Sequence, residues 1–93
     1  MKIKNVEING YAALAPMAGA ADKAFREMCK SYGAAYTVSE MVSAKGVSMG
    51  DRKSASLMSV SDTEHPCAVQ IFGTNPEIMA KSAVEALNYN PDI

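Results

Sequence analysis

Stretches with the pattern of β-strands alternate along this chain with stretches that have the pattern of α-helices. The predicted strands are residues 11–15, 35–42 and 67–73. The predicted helices are residues 23–32, a broken helix within residues 43–60, and a helix that opens at residues 74–77. Such alternation is typical of parallel strands joined by right-handed crossovers, so the sequence predicts an α/β fold.

Residues at the ends of these segments support the assignment. Asp22 is placed to cap the first helix, and Asp51 to cap the second piece of the broken one. Asn9-Gly10 predicts the turn of a short β-hairpin before the first strand, and Asp92-Ile93 has the pattern of a fourth strand. Helical spacing predicts two buried faces: Phe25, Met28, Cys29 and Tyr32 in the first helix, and Met79, Ala83, Ala86 and Leu87 in the last.

The number of strand and helix units limits the architecture. Three and a half units cannot close a barrel of eight, and a parallel sheet normally needs cover on both faces. We therefore expect the 93 residues to be the front part of something larger.

Charge and hydropathy give no sign of a nucleic-acid-binding face or of a membrane span. The net charge is −1, and the nine Lys and Arg residues are dispersed instead of forming the clustered basic face of a nucleic-acid-binding domain. Arg26 and Lys45 are expected to be exposed surface charges, the alternative being phosphate ligands. No apolar run is long enough to span a bilayer, so the expected location is the cytoplasm.

The cysteines and the histidine give no catalytic or metal-ligating pattern. Cys29 and Cys67 lie in different elements, and we expect both to be reduced and to act as small hydrophobic residues. His65 precedes a proline in a polar loop and is expected to be a turn residue. No cluster of metal-ligating side chains is predicted.

Two places in the chain have the character of a binding site. Residues 13–22 pass from an apolar run through Pro16 and several small residues to a helix-capping aspartate, a strand-to-helix turn that lets a ligand approach the backbone. Gln70 lies in an otherwise apolar strand, where its amide is costly unless it has a hydrogen-bonding partner. Glu40 ends the second strand, and either supports a site or is a solvated or capping carboxylate.

Four motifs occur together and in order in this chain. They are Leu14-Ala15-Pro16-Met17-Ala18-Gly19, Asp22 with Phe25-Arg26, Ser39-Glu40-Met41, and Val69-Gln70-Ile71-Phe72-Gly73. In this combination the sequence resembles the N-terminal part of the tRNA-dihydrouridine synthases, and most of all the bacterial group that includes the B-type enzymes.

This resemblance implies a fold, a reaction and a set of site residues. The fold is the N-terminal portion of an FMN-binding (β/α)8 TIM barrel preceded by a short β-hairpin, with residues 1–93 as an incomplete barrel of three βα units. The reaction is the reduction of uridine in tRNA to dihydrouridine by FMN, with NADPH as the reductant. The residues that match the family's flavin contacts are Pro16, Met17, Ala18 and Gln70.

The resemblance also implies what this chain lacks. The family's catalytic cysteine belongs to an Asn-x-Gly-Cys-Pro run that falls after Ile93, and neither Cys29 nor Cys67 matches it. The residues that hold the flavin phosphate come from later strands. Ala21 stands where many members have threonine or serine.

Alternatives remain open for the residues and for the function. One alternative for Gln70 is that its side chain bonds neighbouring loop backbone. The alternative for Pro16 and Met17 is that the proline only ends the strand and the methionine only packs in a core. The chain is instead part of another FMN-dependent barrel, such as a dihydroorotate dehydrogenase-like enzyme or an ene-reductase, or a non-catalytic piece that self-associates through its open sheet.

We expect the 93-residue chain to form no dihydrouridine by itself, because the acid and the phosphate ligands are predicted to lie outside it. Incubation of tRNA with the chain, FMN and NADPH, followed by nucleoside analysis, checks this. Detection of dihydrouridine above a control without the chain contradicts it.

Overall fold

Parallel strand pairs form the centre of the structure, a computed structural model that describes residues 1–93. Strand β3 (Thr37–Val38) pairs in parallel with β5 (Cys67–Ala68), and β4 (Val42–Ser43) pairs in parallel with β6 (Ile71–Phe72). Leu14 forms an isolated parallel bridge to Thr37. The predicted α/β fold with parallel strands is therefore confirmed.

The outer neighbours of this sheet follow chain order. On one side, Ala12 and Leu14 exchange backbone hydrogen bonds with residues 35 and 36, although the predicted first strand is an extended segment with a single bridge. On the other side, the amides of Asp92 and Ile93 donate to the Cys67 carbonyl. The four chain segments thus lie side by side in the order in which they occur in the sequence.

The second and third predicted strands are both interrupted at the same level. Residues 39–41 separate β3 from β4, and residues 69–70 separate β5 from β6. The Ser39 hydroxyl accepts a hydrogen bond from the Gln70 amide across the gap, at 3.1 Å. The second and third predicted strands are therefore each two short strands, and a hydrogen bond from backbone to side chain joins them at the interruption.

The N-terminal hairpin is present, but its turn differs from the predicted one. Strand β1 (Lys2–Ile3) pairs antiparallel with β2 (Val6–Glu7), so the turn contains Lys4, whose φ is 51°. Asn9-Gly10 was the wrong turn. Gly10 instead has φ of 133°, and a Cβ there would lie 2.9 Å from the Ala35 Cβ, so close packing against the second strand segment requires glycine.

The helices begin at the caps that the sequence predicts. Asp22 accepts from the Phe25 amide at the start of α1 (Lys23–Ser31). The broken helix consists of α2 (Ala44–Ser48) and α3 (Arg52–Leu57), and Asp51 caps the latter. Hydrogen bonds from the Ser54 hydroxyl and amide lower the pKa of Asp51.

The last helix also begins as predicted and ends in a tighter turn. Helix α4 (Pro76–Ala86) is capped by Asn75 and continues into a 3₁₀ turn (Leu87–Tyr89). None of the helices has the length and apolar character needed to cross a membrane.

The predicted buried faces are largely wrong. In α1, Met28 and Tyr32 are 51% and 87% exposed, and the one buried residue is Arg26. In α4, Ala86 is buried as predicted, but Leu87 just beyond its end is 68% exposed. Helical spacing shows which side of a helix is apolar, but burial also needs a second layer, and no element of this chain covers these two sides.

The apolar core is small for a chain of this length. Val42, Met58 and Ala86 are buried together. Half-buried apolar side chains surround them: Val47, Leu57, Val69, Ile71 and Tyr89. Only 15 of the 93 residues are buried, and six of those 15 are polar or charged, so polar contacts contribute an unusual share of the interior.

The largest of these contacts is an ion pair between Arg26 and Glu64. The Arg26 Nε lies 2.6 Å from Glu64 Oε2, with side chains 2% and 0% exposed. The guanidinium also donates to the carbonyls of Ala21 and Ser59, at 2.8 and 2.9 Å. Arg26 was predicted to be an exposed charge. That prediction is wrong, because a buried carboxylate and two carbonyls replace its hydration.

Glu64 is as fully bonded as its partner. Its Oε1 accepts from the Ser61 amide and hydroxyl, and the Cys67 thiol lies 3.5 Å from Oε2. Burial alone would raise the pKa of Glu64, but the hydrogen bonds from Arg26 and Ser61 and the Arg26 charge outweigh it, so the pKa falls below its ordinary value of 4.5. The pair joins α1 to the loop before β5.

We expect Glu64→Ala to lower the free energy of unfolding by about 3–5 kcal/mol, since it leaves the Arg26 charge buried without a partner. That is a large part of the roughly 5–14 kcal/mol typical of a chain of this length. Urea unfolding followed by circular dichroism measures the change. Glu85→Ala, at an exposed site without an ion pair, is the control; equal losses in both variants contradict the assignment.

The Glu64 carboxylate also predicts a pH dependence. Because its folded pKa is lowered, its contribution to stability is complete above pH 4.5 and is lost as the pH falls through the folded pKa. We expect Glu64→Gln to remove this component. Urea unfolding at a series of pH values from 7 down to 3 checks this, and a parallel pH dependence in the variant and the original chain disproves it.

Candidate functional site

The residues with predicted site roles lie towards the carboxyl ends of three neighbouring parallel segments, after the first segment and at the interruptions of the second and third. Pro16, Met17 and Ala18 follow the extended segment that pairs with β3, Glu40 follows β3, and Gln70 follows β5. The carboxyl ends of parallel strands lie at one edge of the sheet, where α/β proteins bind their ligands. This edge is the candidate site, and we call it the carboxyl edge.

Hydrogen bonds connect the three segments along the carboxyl edge. The Glu40 carboxylate accepts from the Gly19 amide, which joins the first segment to the second. The Ser39 hydroxyl donates to the Glu40 carbonyl at 2.9 Å and accepts from the Gln70 amide, which joins the second segment to the third. The relative positions of the loop and of Gln70 therefore depend on Ser39 and Glu40.

The loop after the first segment is a tight turn with an open outer surface. The Met17 carbonyl accepts from the amides of Ala20 and Ala21, at 3.1 and 2.8 Å. Gly19 has φ of 80° and no heavy atom within 4 Å of the position of a Cβ. Pro16, Met17 and Ala18 are exposed, so they are not simply packed in a core.

Gln70 differs from the prediction in its surroundings. Its backbone is fixed, because the backbone N–H of Gln70 donates to the Ser39 hydroxyl and the backbone carbonyl accepts from the Val42 N–H at 2.8 Å. The side chain of Gln70 is exposed and forms no hydrogen bond within the chain. Burial therefore imposes no cost on the side-chain amide, and the alternative of a bond from this amide to loop backbone is wrong. An exposed amide on a fixed backbone offers both a donor and an acceptor to a ligand.

Other sequence candidates lie away from the carboxyl edge. His65 lies in the loop before β5 as expected, although the turn of that loop is at residues 62–63, and its Nδ1 lies 2.6 Å from Asp92 Oδ2, which also accepts from the Cys67 amide. Cys67 itself is buried at the amino end of β5, and burial raises the pKa of its thiol. Cys29 is half-buried in α1.

Ser39 is the residue whose role sequence reasoning missed. Its side chain is fully buried and makes two hydrogen bonds at the strand interruption. The available signal was a serine at the end of a run of strand-forming residues, next to Glu40. That signal is weak, because the interruption itself is not visible in the hydropathy pattern.

The carboxyl edge lies within a region that matches a known protein family. Residues 13–93 match the family model described as dihydrouridine synthase (Dus). The chain belongs to the dihydrouridine synthase family. This agrees with the resemblance drawn from the four motifs, all of which fall within the matched region.

Individual relatives give the same family. The "tRNA-dihydrouridine synthase B" of Xanthomonas axonopodis pv. citri is 42% identical over 92 residues, covering 99% of this chain and 26% of the relative. The protein of the same name from Shewanella oneidensis is 42% identical over 83 residues, covering 89% of this chain and 26% of the relative. A "Probable tRNA-dihydrouridine synthase" of Rickettsia prowazekii is 33% identical over 84 residues, with coverages of 89% and 26%. The chain thus spans about a quarter of the length of these relatives.

We expect Glu40→Ala to speed hydrogen exchange at the Gly19 amide by about tenfold or more, since a hydrogen bond to a charged group contributes about 1.5–3 kcal/mol. Exchange measured by nuclear magnetic resonance at single amides checks this. Glu85→Ala is the control, and exchange at the Phe25 amide, bonded to Asp22, serves as an internal reference. An unchanged Gly19 rate in Glu40→Ala would show that the bond does not hold the loop.

Proposed function

We propose that this chain is part of a tRNA-dihydrouridine synthase, which reduces uridine in tRNA to 5,6-dihydrouridine with FMN as cofactor and NADPH as reductant. The observation that carries the proposal is the 42% identity over 92 residues to a protein of that named activity. Family membership favours it over a dihydroorotate dehydrogenase-like enzyme. A tRNA substrate supports a cytoplasmic location.

The proposed architecture is the start of a (β/α)8 barrel. Neighbouring parallel segments in chain order, each followed by a helix, are what the first βα units of such a barrel require. Residues 1–93 are then a partial FMN-binding barrel domain of three units with a hairpin before them. An open sheet of this kind leaves apolar side chains such as Met28 exposed, which supports self-association of the isolated chain.

The proposed flavin contacts are Pro16, Met17, Ala18 and Gln70. Their surroundings fit such a ligand, because the loop presents an exposed surface of small residues and Gln70 presents an amide without a partner in the chain. The pyrimidine edge of a flavin carries donors and acceptors that complement an amide. FMN, when bound, supplies the hydride transfer between NADPH and the uracil ring.

This chain's own residues bind and orient in this proposal. The side-chain amide of Gln70 would hydrogen-bond the cofactor ring and orient it, and the loop at residues 16–21 (the Met17 loop) would contact the ring. Ser39 and Glu40 hold the loop and Gln70 at a fixed separation. Neither cysteine is proposed as a proton donor, since Cys67 is buried at the opposite edge and Cys29 lies in α1.

We expect the chain to bind FMN and Gln70→Leu to weaken that binding by about tenfold, the cost of one hydrogen bond to a polar ligand that is left without its partner. Quenching of flavin fluorescence gives the dissociation constants, and the flavin absorption spectrum reports its surroundings. Asn88→Ala, at an exposed amide outside the carboxyl edge, is the control.

Two outcomes contradict the proposal in different ways. Absence of FMN binding at any accessible concentration argues against a flavin site in this chain. Binding that Gln70→Leu leaves unchanged retains the cofactor and removes Gln70 from the set of contacts.

A further inference from the structure

A cavity lies on the same side of the sheet as the proposed flavin contacts, and none of those contacts lines it. It lies where β4 and β6 end and α2 and α4 begin, and its volume is about 240 Å³. Its lining residues combine polar, charged and aromatic side chains: Ser43, Ala44, Lys45, Phe72, Gly73, Thr74, Asn75 and Ile78. Phe72 is two residues beyond Gln70 in the same strand segment, so the cavity continues the carboxyl edge.

Three side chains of this cavity are free to contact a ligand. Lys45 is exposed and its ammonium group has no ion pair or hydrogen bond, and no acidic residue lines the cavity. Phe72 is 47% exposed although it lies in a strand. Asn75 uses only its carbonyl oxygen, as the cap of α4, so its NH₂ group has no partner in the chain.

The shape of the cavity is fixed by close packing at Gly73. A Cβ there would lie 2.9 Å from the Met79 sulfur and 3.2 Å from the Ala44 Cβ, so the end of β6 is in close contact with both neighbouring helices. At about 240 Å³ the cavity is smaller than the roughly 300–1,000 Å³ of sites that enclose a whole cofactor or drug-sized ligand. It is therefore too small to enclose a whole cofactor.

These features match the chemistry of one nucleotide. Aromatic side chains stack on unpaired bases, amides bond to base edges, and lysines bind phosphate. We propose that this cavity binds one nucleotide of the RNA substrate beside the reacting uridine, with Phe72 against the base and Lys45 on the phosphate. This inference rests on the proposed function, because it takes the ligand to be an unpaired segment of tRNA.

The phosphate of FMN has the same charge and is the competing source of such a ligand. An exposed aromatic ring beside the lysine favours RNA, because it matches a base next to a phosphate. The contributions of Phe72 and Lys45 to RNA affinity can be measured separately, because ion pairing with Lys45 makes the affinity depend on salt concentration and stacking on Phe72 does not.

The test is a fluorescence anisotropy titration of the chain with a short labelled oligouridylate at several salt concentrations. We expect Phe72→Ala to weaken binding by about tenfold with an unchanged salt slope. We expect Lys45→Ala to reduce the slope of log affinity against log salt by about 0.7, the value for one phosphate contact to a single strand. Phe72→Tyr should retain affinity, and Lys81→Ala, an exposed lysine of α4 outside the cavity, should change neither quantity.

The contrary outcomes are distinct. Unchanged affinity in both cavity variants, with folding verified by circular dichroism, overturns the proposal. Displacement of the oligouridylate by FMN, together with weaker FMN binding in Lys45→Ala, assigns the cavity to the cofactor phosphate and also overturns it. The RNA titration contains no flavin, so failure of FMN binding counts against the flavin site of the proposed function without affecting this readout, and loss of RNA binding alone rejects only the cavity.

Discussion

The ion pair of Arg26 and Glu64 is the contact on which the interior of this structure most depends. A core centred on three buried apolar residues cannot fix the position of α1 against the sheet, and α1 buries no apolar side chain. The pair supplies that connection through a guanidinium and a carboxylate whose bonds are almost all satisfied. The pair contributes a defined position of α1 more than it contributes stability, because a buried ion pair is seldom more stabilising than apolar packing but is compatible with few alternative arrangements.

Fixing α1 has a direct effect on the candidate site. Arg26 donates to the Ala21 carbonyl, so the ion pair also holds the end of the Met17 loop. The other end of that loop is held through Gly19 and Glu40, and Glu40 is joined through Ser39 to Gln70. The proposed flavin contacts are exposed, and their positions are set by polar residues behind and beside them.

Local chemistry explains which features the sequence predicts well. The caps at Asp22, Asp51 and Asn75 are correct because each depends on one side chain and the next three residues. The predictions of buried helix faces and of an exposed Arg26 were wrong because burial depends on which distant residue lies opposite in the fold. Glu64, the partner of Arg26, is 38 residues away in the sequence. The interruption at Ser39 was missed for the same reason, while the family motifs indicated the candidate residues without showing that Gln70 is exposed.

The contact of His65 and Asp92 lies at the opposite edge of the sheet from the candidate site. There Asp92 accepts from both the His65 ring and the Cys67 amide, and it secures the amino ends of two neighbouring segments. This contact secures the sheet without using any of the proposed flavin contacts. Substitutions at the exposed residues 16–18 and at Gln70 are then expected to leave the contact intact, so residues at one edge can vary while the other edge keeps the segments paired, which is a condition for one scaffold to diversify its ligands during evolution.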